Sequence, residues 1–252
     1  MSNSENGLKN DGVFVDSIER SIIGVTSGIL FYNYIYPFVF LIIFQLILGA
    51  AFNQYVADNY YFIQMLLNLL TSILTLVVGI LIASPKKFLK SIKLPHLDDV
   101  KLMFSTLIIM MVATIGYNFI ITLLGVDVGS GNTNQESIVD YIKNAPILAF
   151  ATFVLIGPLL EEVTYRYFLF GSLRKIHPTL AIVLSGFIFM TVHGIAGFMK
   201  EDVNIIKELI LLPPYMFSGC MLAYAYNKSE NLATSTGTHV LNNLISFILS
   251  AL

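Results

Sequence analysis

A small set of side chains in an otherwise apolar C-terminal half carries the chemistry this chain could perform. They are Glu161, Glu162 and Arg166 in GPLLEEVTYRYFLFGSLR, Phe189 and His193 in FMTVH, and His239 and Asn243 in HVLNN. On a helix, residues four apart share a face and adjacent ones diverge by about 100°. Glu162 can therefore pair with Arg166 in the favourable order, acid before base, and Arg166 can also reach toward the cytoplasmic headgroups. Glu161 points elsewhere and lacks a local partner, which suits a carboxylate that takes a proton from water. Phe189 stacks beside His193, and His239 lies beside Asn243. A carboxylate with a histidine can activate water, while a second histidine with an amide can donate to a developing oxyanion. That combination suits peptide hydrolysis. A serine mechanism is disfavoured, because there is no G-x-S-x-G elbow. Two histidines and a glutamate also match a zinc set by residue type, yet H-E-x-x-H is absent and asparagine makes better sense as a donor than as a ligand. The expectation is therefore a site without a cofactor, zinc being the disfavoured alternative.

These groups need helices to hold them, and the composition says which kind. Of 252 residues, 56% are hydrophobic and 12% charged, with a net charge of -2 and a mean hydropathy of +0.77. A soluble domain carries about 25% charged residues, and a nucleic-acid binder shows a basic excess. Both classes are excluded. Apolar windows at 21–57, 59–85, 102–126, 176–199, 209–227 and 231–252, with a further stretch from 143 to about 170, can each cross a hydrocarbon core of about 30 Å. The expected fold is all-α, a polytopic transmembrane bundle of about seven spans. At about 1.5 Å of rise per residue, Glu161, His193 and His239 lie roughly 15, 21 and 12 Å from the cytoplasmic ends of their spans. Three helices can thus bring them, with Asn243, to one level inside the membrane.

Lys and Arg accumulate in cytoplasmic loops, and Lys9, Arg20, Lys86, Lys87, Lys90, Lys93, Lys101, Arg174, Lys175 and Lys228 fall on one side if the N-terminus is cytoplasmic. Lys143, Lys200 and Lys207 fall on the other. The chain divides into a cytoplasmic tail (1–20), N-terminal membrane spans (21–142) and a catalytic membrane core (143–252). The stretch from 126 to 143 reads as a Gly/Asn/Ser-rich external loop. Proline 158 should loosen its helix by removing the donor for the Val154 carbonyl, and Pro213-Pro214 should kink the sixth span. Cys220 reads as a packing residue and His96 and His177 as solvated loop residues.

In three motifs the sequence resembles the CPBP intramembrane proteases, which include the type II CAAX prenyl endopeptidases and bacterial relatives tied to bacteriocin immunity. The family's E-E-x-x-x-R appears as Glu161 to Arg166, its F-x-x-x-H as Phe189 to His193, and its H-x-x-x-N as His239 to Asn243. The resemblance covers about 143–252. It implies a multi-pass cell-membrane enzyme in which Glu161 and His193 activate water and His239 and Asn243 hold the oxyanion. Glu162, Arg166 and Phe189 have supporting places. The implied partner is a membrane-associated peptide or protein in the lipid bilayer, with no nucleic acid, and processing of a bacteriocin or pheromone precursor or self-immunity is the expected role. Two readings compete: a non-proteolytic immunity or regulatory partner, and a proton-coupled transporter, since Glu/His chains also relay protons. The absence of an inverted repeat weighs against the transporter.

Overall fold

Where the backbone cannot bond to water it must bond to itself, so long apolar stretches in a bilayer become helices. The computed structural model describes residues 14–15, 17–129, 131–199 and 203–252, and no strand occurs among them. The helices are α1 (Ile18–Leu48), α2 (Phe52–Asp58), α3 (Tyr60–Ala83), α4 (Pro85–Ser91), α5 (Leu97–Leu123), α6 (Thr133–Asn144), α7 (Pro146–Leu173), α8 (Pro178–Phe198), α9 (Ile205–Leu211), α10 (Pro213–Ser229) and α11 (Leu232–Ala251).

Six stretches are long and apolar enough to cross a membrane: α1, α3, α5, α7, α8 and the α9–α10 pair. The seventh expected span, α11, is a 20-residue helix that does not meet the same apolarity, because it carries His239, Asn242 and Asn243. The outer faces of α1 and α5 expose Phe38, Leu46, Ile115 and Phe119, as faces turned to lipid should.

Three expectations are corrected here. The external loop 126–143 is largely the helix α6, which runs across residue 143. Asn132 caps it by accepting from the Gln135 amide at 3.0 Å, and Ile138, Tyr141, Ile142 and Ala145 form an apolar stripe at helical spacing that packs inward. Its polar residues hid that stripe. The tail 1–20 lies mostly outside the described residues, as do Lys9 and Lys200, but its end belongs to the fold: Val15 is fully buried, and the Phe14 ring lies 5.0 Å from Tyr226. Finally, Pro213 does more than kink its span, since the helix breaks at Leu212 between α9 and α10. The Ile210 carbonyl at that break accepts from the Tyr117 hydroxyl at 2.7 Å. His96 and His177, both exposed, sit at the N-termini of α5 and α8, where the imidazole of His177 accepts from the Leu180 amide at 3.3 Å.

Glycines decide how closely the functional helices approach. Gly24 and Gly28, four apart on α1, lie against Phe168 and Thr164 of α7, so closely that a Cβ at either position would overlap those side chains. Gly186 of α8 and Gly219 of α10 cross with the Gly186 Cα 2.8 Å from where a Cβ on Gly219 would stand, the small-residue contact that membrane helices use. The Cys220 sulfur packs at the same crossing. Phe189 borders this contact, its Cβ 3.1 Å from where a Cβ on Gly219 would stand, and His193 lies one turn further along α8. Replacing Gly186 with Leu should force α8 from α10, lowering the thermal midpoint of the purified protein; an unchanged midpoint would show that the crossing does not carry the packing.

Candidate active site

The scaffold of the site is α7, whose backbone is not a uniform α-helix. Its α-helical Gly157–Glu162 is flanked by π-helical Phe150–Ile156 and Val163–Phe170, and π-bulges occur frequently at functional sites. The Gly157 N–H bonds Thr152 O, five residues back. Continued by one residue, that register sets the missing N–H of Pro158 against the carbonyl of Phe153, not of Val154 as an α-helical count suggests. The orphaned carbonyl is satisfied from another helix: Asn243 Nδ2 donates to Phe153 O at 2.9 Å.

Glu162 and Arg166 form the expected ion pair, Arg166 Nε to Glu162 Oε2 at 3.3 Å, with both side chains wholly buried. Arg166 does not reach toward headgroups. Its Nη2 donates to Gly219 O at 3.4 Å, and its guanidinium lies 4.9 Å from the centre of the Phe189 ring. The other oxygen, Glu162 Oε1, lies 3.0 Å from His239 Nδ1, so the buried pair joins α7 to α11 through Glu162 and to α10 through Arg166.

Glu161 faces the other way. Its Oε2 is buried without a hydrogen-bond partner, 3.9 Å from His193 Nε2 and 3.7 Å from His239 Nε2. These gaps are too long for direct hydrogen bonds. The remaining nitrogens define the tautomers: His193 Nδ1 lies 2.8 Å from the Phe189 carbonyl, and a carbonyl can only accept, so Nδ1 carries the hydrogen and Nε2 of the neutral ring presents a lone pair to Glu161. His239 Nδ1 likewise donates to Glu162. Phe189 stacks on His193 with 4.2 Å between ring centres. The structure thus brings Glu161, His193 and His239 together. Asn243 lines the same cavity, with one amide hydrogen already given to Phe153.

That cavity measures about 850 Å³. Its wall includes residues that spacing alone did not mark: Tyr215, Asn132, Asn134 and Tyr32. Tyr141, also in the wall, has its hydroxyl pushed up to about 12 by burial, with Tyr60, Tyr61 and Asp140 adding to the effect, so it stays uncharged. Among the described residues, no group of three or more His, Cys, Asp or Glu side chains is arranged to hold a metal ion.

The comparisons concern the same half of the chain. Residues 143–245 match the family described as type II CAAX prenyl endopeptidase Rce1-like. This segment is similar to that family. It contains all the motif positions named above. The chain is 27% identical to a candidate membrane peptidase, YdiL, of Bacillus subtilis, over 48% of this chain and 45% of that protein. It is 23% identical to the membrane-embedded CAAX protease MroQ of Staphylococcus aureus, over 72% of this chain and 70% of the relative. A third relative, the UPF0177 protein YxdF of Lactococcus lactis, is 27% identical over 52% of this chain and 68% of its own length. The chain thus spans less than half the length of the first of these. No solved structure matches the chain.

The packing of residues 143–245 depends on the buried Glu162–Arg166 pair. Arg166→Leu leaves Glu162 buried with His239 as its remaining partner, a change that costs about 3–5 kcal/mol for a buried pair broken on one side. Denaturant unfolding should show that loss, and the double variant Glu162→Gln/Arg166→Leu should recover part of it. A stable single variant would mean that the pair is not what holds α7 to α10.

Proposed function

We propose that the protein is an intramembrane endopeptidase that hydrolyses a peptide bond of a membrane-associated peptide or protein. One observation carries the reading: the unpartnered Glu161 Oε2, faced by the Nε2 atoms of two histidines from two other helices, at the wall of a large cavity. In this proposal Glu161 and the lone pair of His193 draw the proton from an attacking water that both can reach. His193 later returns a proton to the leaving amine, so its role reverses within the cycle. His239 and Asn243 receive the oxyanion. With His239 Nδ1 donating to Glu162, Nε2 donates to an oxyanion only when the ring holds both protons, and Glu162 would balance that charge. For Asn243 the second amide hydrogen is the one that serves, the first being engaged by Phe153. Such preorganised donors need no reorganisation at the moment of reaction, which is what makes them effective.

We further propose that the protein is a multi-pass protein of the cell membrane with a cytoplasmic N-terminus, on the distribution of lysines and arginines, and that it processes a bacteriocin-like or pheromone-like precursor or confers self-immunity. The similarity to a protein named as a CAAX protease supports the peptide-bond chemistry. The proposed mechanism uses no metal.

Purified wild-type protein in lipid vesicles should cleave membrane-associated peptides, and Glu161→Gln or His193→Gln should lower turnover by roughly 10²–10⁴-fold with the helical circular dichroism intact. Turnover unchanged by both substitutions would overturn the assignment. A phenotype in cells that survives both substitutions would instead favour the non-proteolytic partner. Chelation should leave activity in place; stoichiometric zinc in active protein, lost together with activity, would replace the metal-free mechanism.

A further inference from the structure

Tyr215 stands at the first turn of α10, directly after the Pro213-Pro214 break, and the mechanism proposed above makes no use of it. Its ring centre lies 4.9 Å from that of His193, with 30° between the planes. On the same imidazole, Phe189 lies at 4.2 Å and 36°. Both rings lie against the imidazole, each inclined to its plane, so His193 is held by Phe189 and Tyr215 together. Phe189 belongs to the same helix as His193 and moves with it. Tyr215 comes from a different helix, and it fixes the plane of the imidazole relative to the rest of the bundle.

The far end of Tyr215 is anchored as well. Its hydroxyl donates to Asn132 Oδ1 at 3.4 Å and accepts from Asn134 Nδ2 at 3.4 Å. Asn132 is almost wholly buried and is the residue that caps α6. Between the two amides, Thr133 gives both its backbone N–H and its hydroxyl to Glu208 Oε1, at 2.8 and 2.6 Å, which ties the start of α6 to α9. The imidazole is thus connected through one tyrosine to a capped and doubly bonded helix start on the wall of the cavity.

We propose that Tyr215 is a positioning residue for water activation: its ring holds His193 Nε2 toward Glu161, and its hydroxyl fixes that ring to the Asn132–Asn134 segment. The proposal rests on the endopeptidase reading. Stacking does the orienting and the hydroxyl bonds steady it, so the two contributions separate by substitution. Tyr215→Phe keeps the stack and loses the two amide contacts, whereas Tyr215→Leu loses both.

The test uses the full chain in lipid nanodiscs. Its activity arm measures the kinetics of the most rapidly cut member of a random twelve-residue peptide mixture, with Glu161→Gln as the zero. Its second arm follows the ring carbon resonance of His193 in histidine-labelled protein, identified by its loss in His193→Gln. Tyr215→Leu should lower kcat by about 10- to 100-fold, the scale of a misplaced catalytic group, while KM stays near the wild-type value. Tyr215→Phe should recover kcat to within about threefold, as expected for weak neutral hydrogen bonds. The His193 resonance should move in the Leu variant and stay near its place in the Phe variant. Equal losses in both variants, a loss confined to KM, or an unmoved His193 resonance in Tyr215→Leu would each overturn the proposal. If wild-type protein cuts none of these peptides, the endopeptidase reading fails, and the resonance alone decides whether Tyr215 orients His193.

Discussion

A charge that leaves water for the interior of a membrane must find its opposite there, and the Glu162–Arg166 pair is built on that necessity. Both side chains are wholly buried, so neither can be relieved by solvent. Each also reaches beyond its partner: Glu162 to His239, and Arg166 to the Gly219 carbonyl and the face of Phe189. The ion pair is local in sequence, yet its outer contacts fall on α8, α10 and α11. Once these helices are docked on it, His239 and the α8 segment carrying His193 are both presented to Glu161. A pair that contributes little net stability by itself can still favour one arrangement of helices, because its outer contacts are made only when α8, α10 and α11 are docked on it.

Adjacent glutamates divide these duties. Glu162 has the Arg166 guanidinium 3.3 Å from one oxygen and His239 3.0 Å from the other, whereas the Glu161 carboxylate has no cation so near and its Oε2 makes no hydrogen bond. About 100° of rotation around one helix separates a carboxylate used to hold the fold from one exposed to the cavity. The π-helical turns on either side of them serve the same division. They displace the backbone register, and the carbonyl that Pro158 leaves without a donor becomes the point at which Asn243 fixes α11 to α7.

Much of this was legible in the sequence where periodicity governs. The four-residue spacings of Glu162 with Arg166 and of Phe189 with His193 appear as contacts, and span counting found each of the long helices. What spacing could not show is anything decided by register changes or by cross-helix contact. The Val154 carbonyl was the wrong one because a proline's missing bond was counted in α-helical steps through a π-helical turn. Helix α6 was missed because Asn132, Thr133, Asn134 and Gln135 look like a loop when composition is weighed ahead of capping and the Ile138–Tyr141–Ile142 stripe. Tyr215 was hidden beside a Pro-Pro pair that signals only a break. The Gly24-x-x-x-Gly28 pattern was a readable signal for the contact of α1 with α7.

That contact bears on the order in which the protein is made. The face of α1 formed by Gly24 and Gly28 fits against Thr164 and Phe168, residues that leave the ribosome long after α1 has entered the bilayer. Until then the first helix can close only on α3, where the Ser72 hydroxyl donates to the Tyr32 hydroxyl at 3.3 Å, and its Gly24–Gly28 face has no partner from α7. Docking of α1 onto α7 is therefore a delayed event. A newly made chain stays without a formed site until the motif-bearing helices have been inserted.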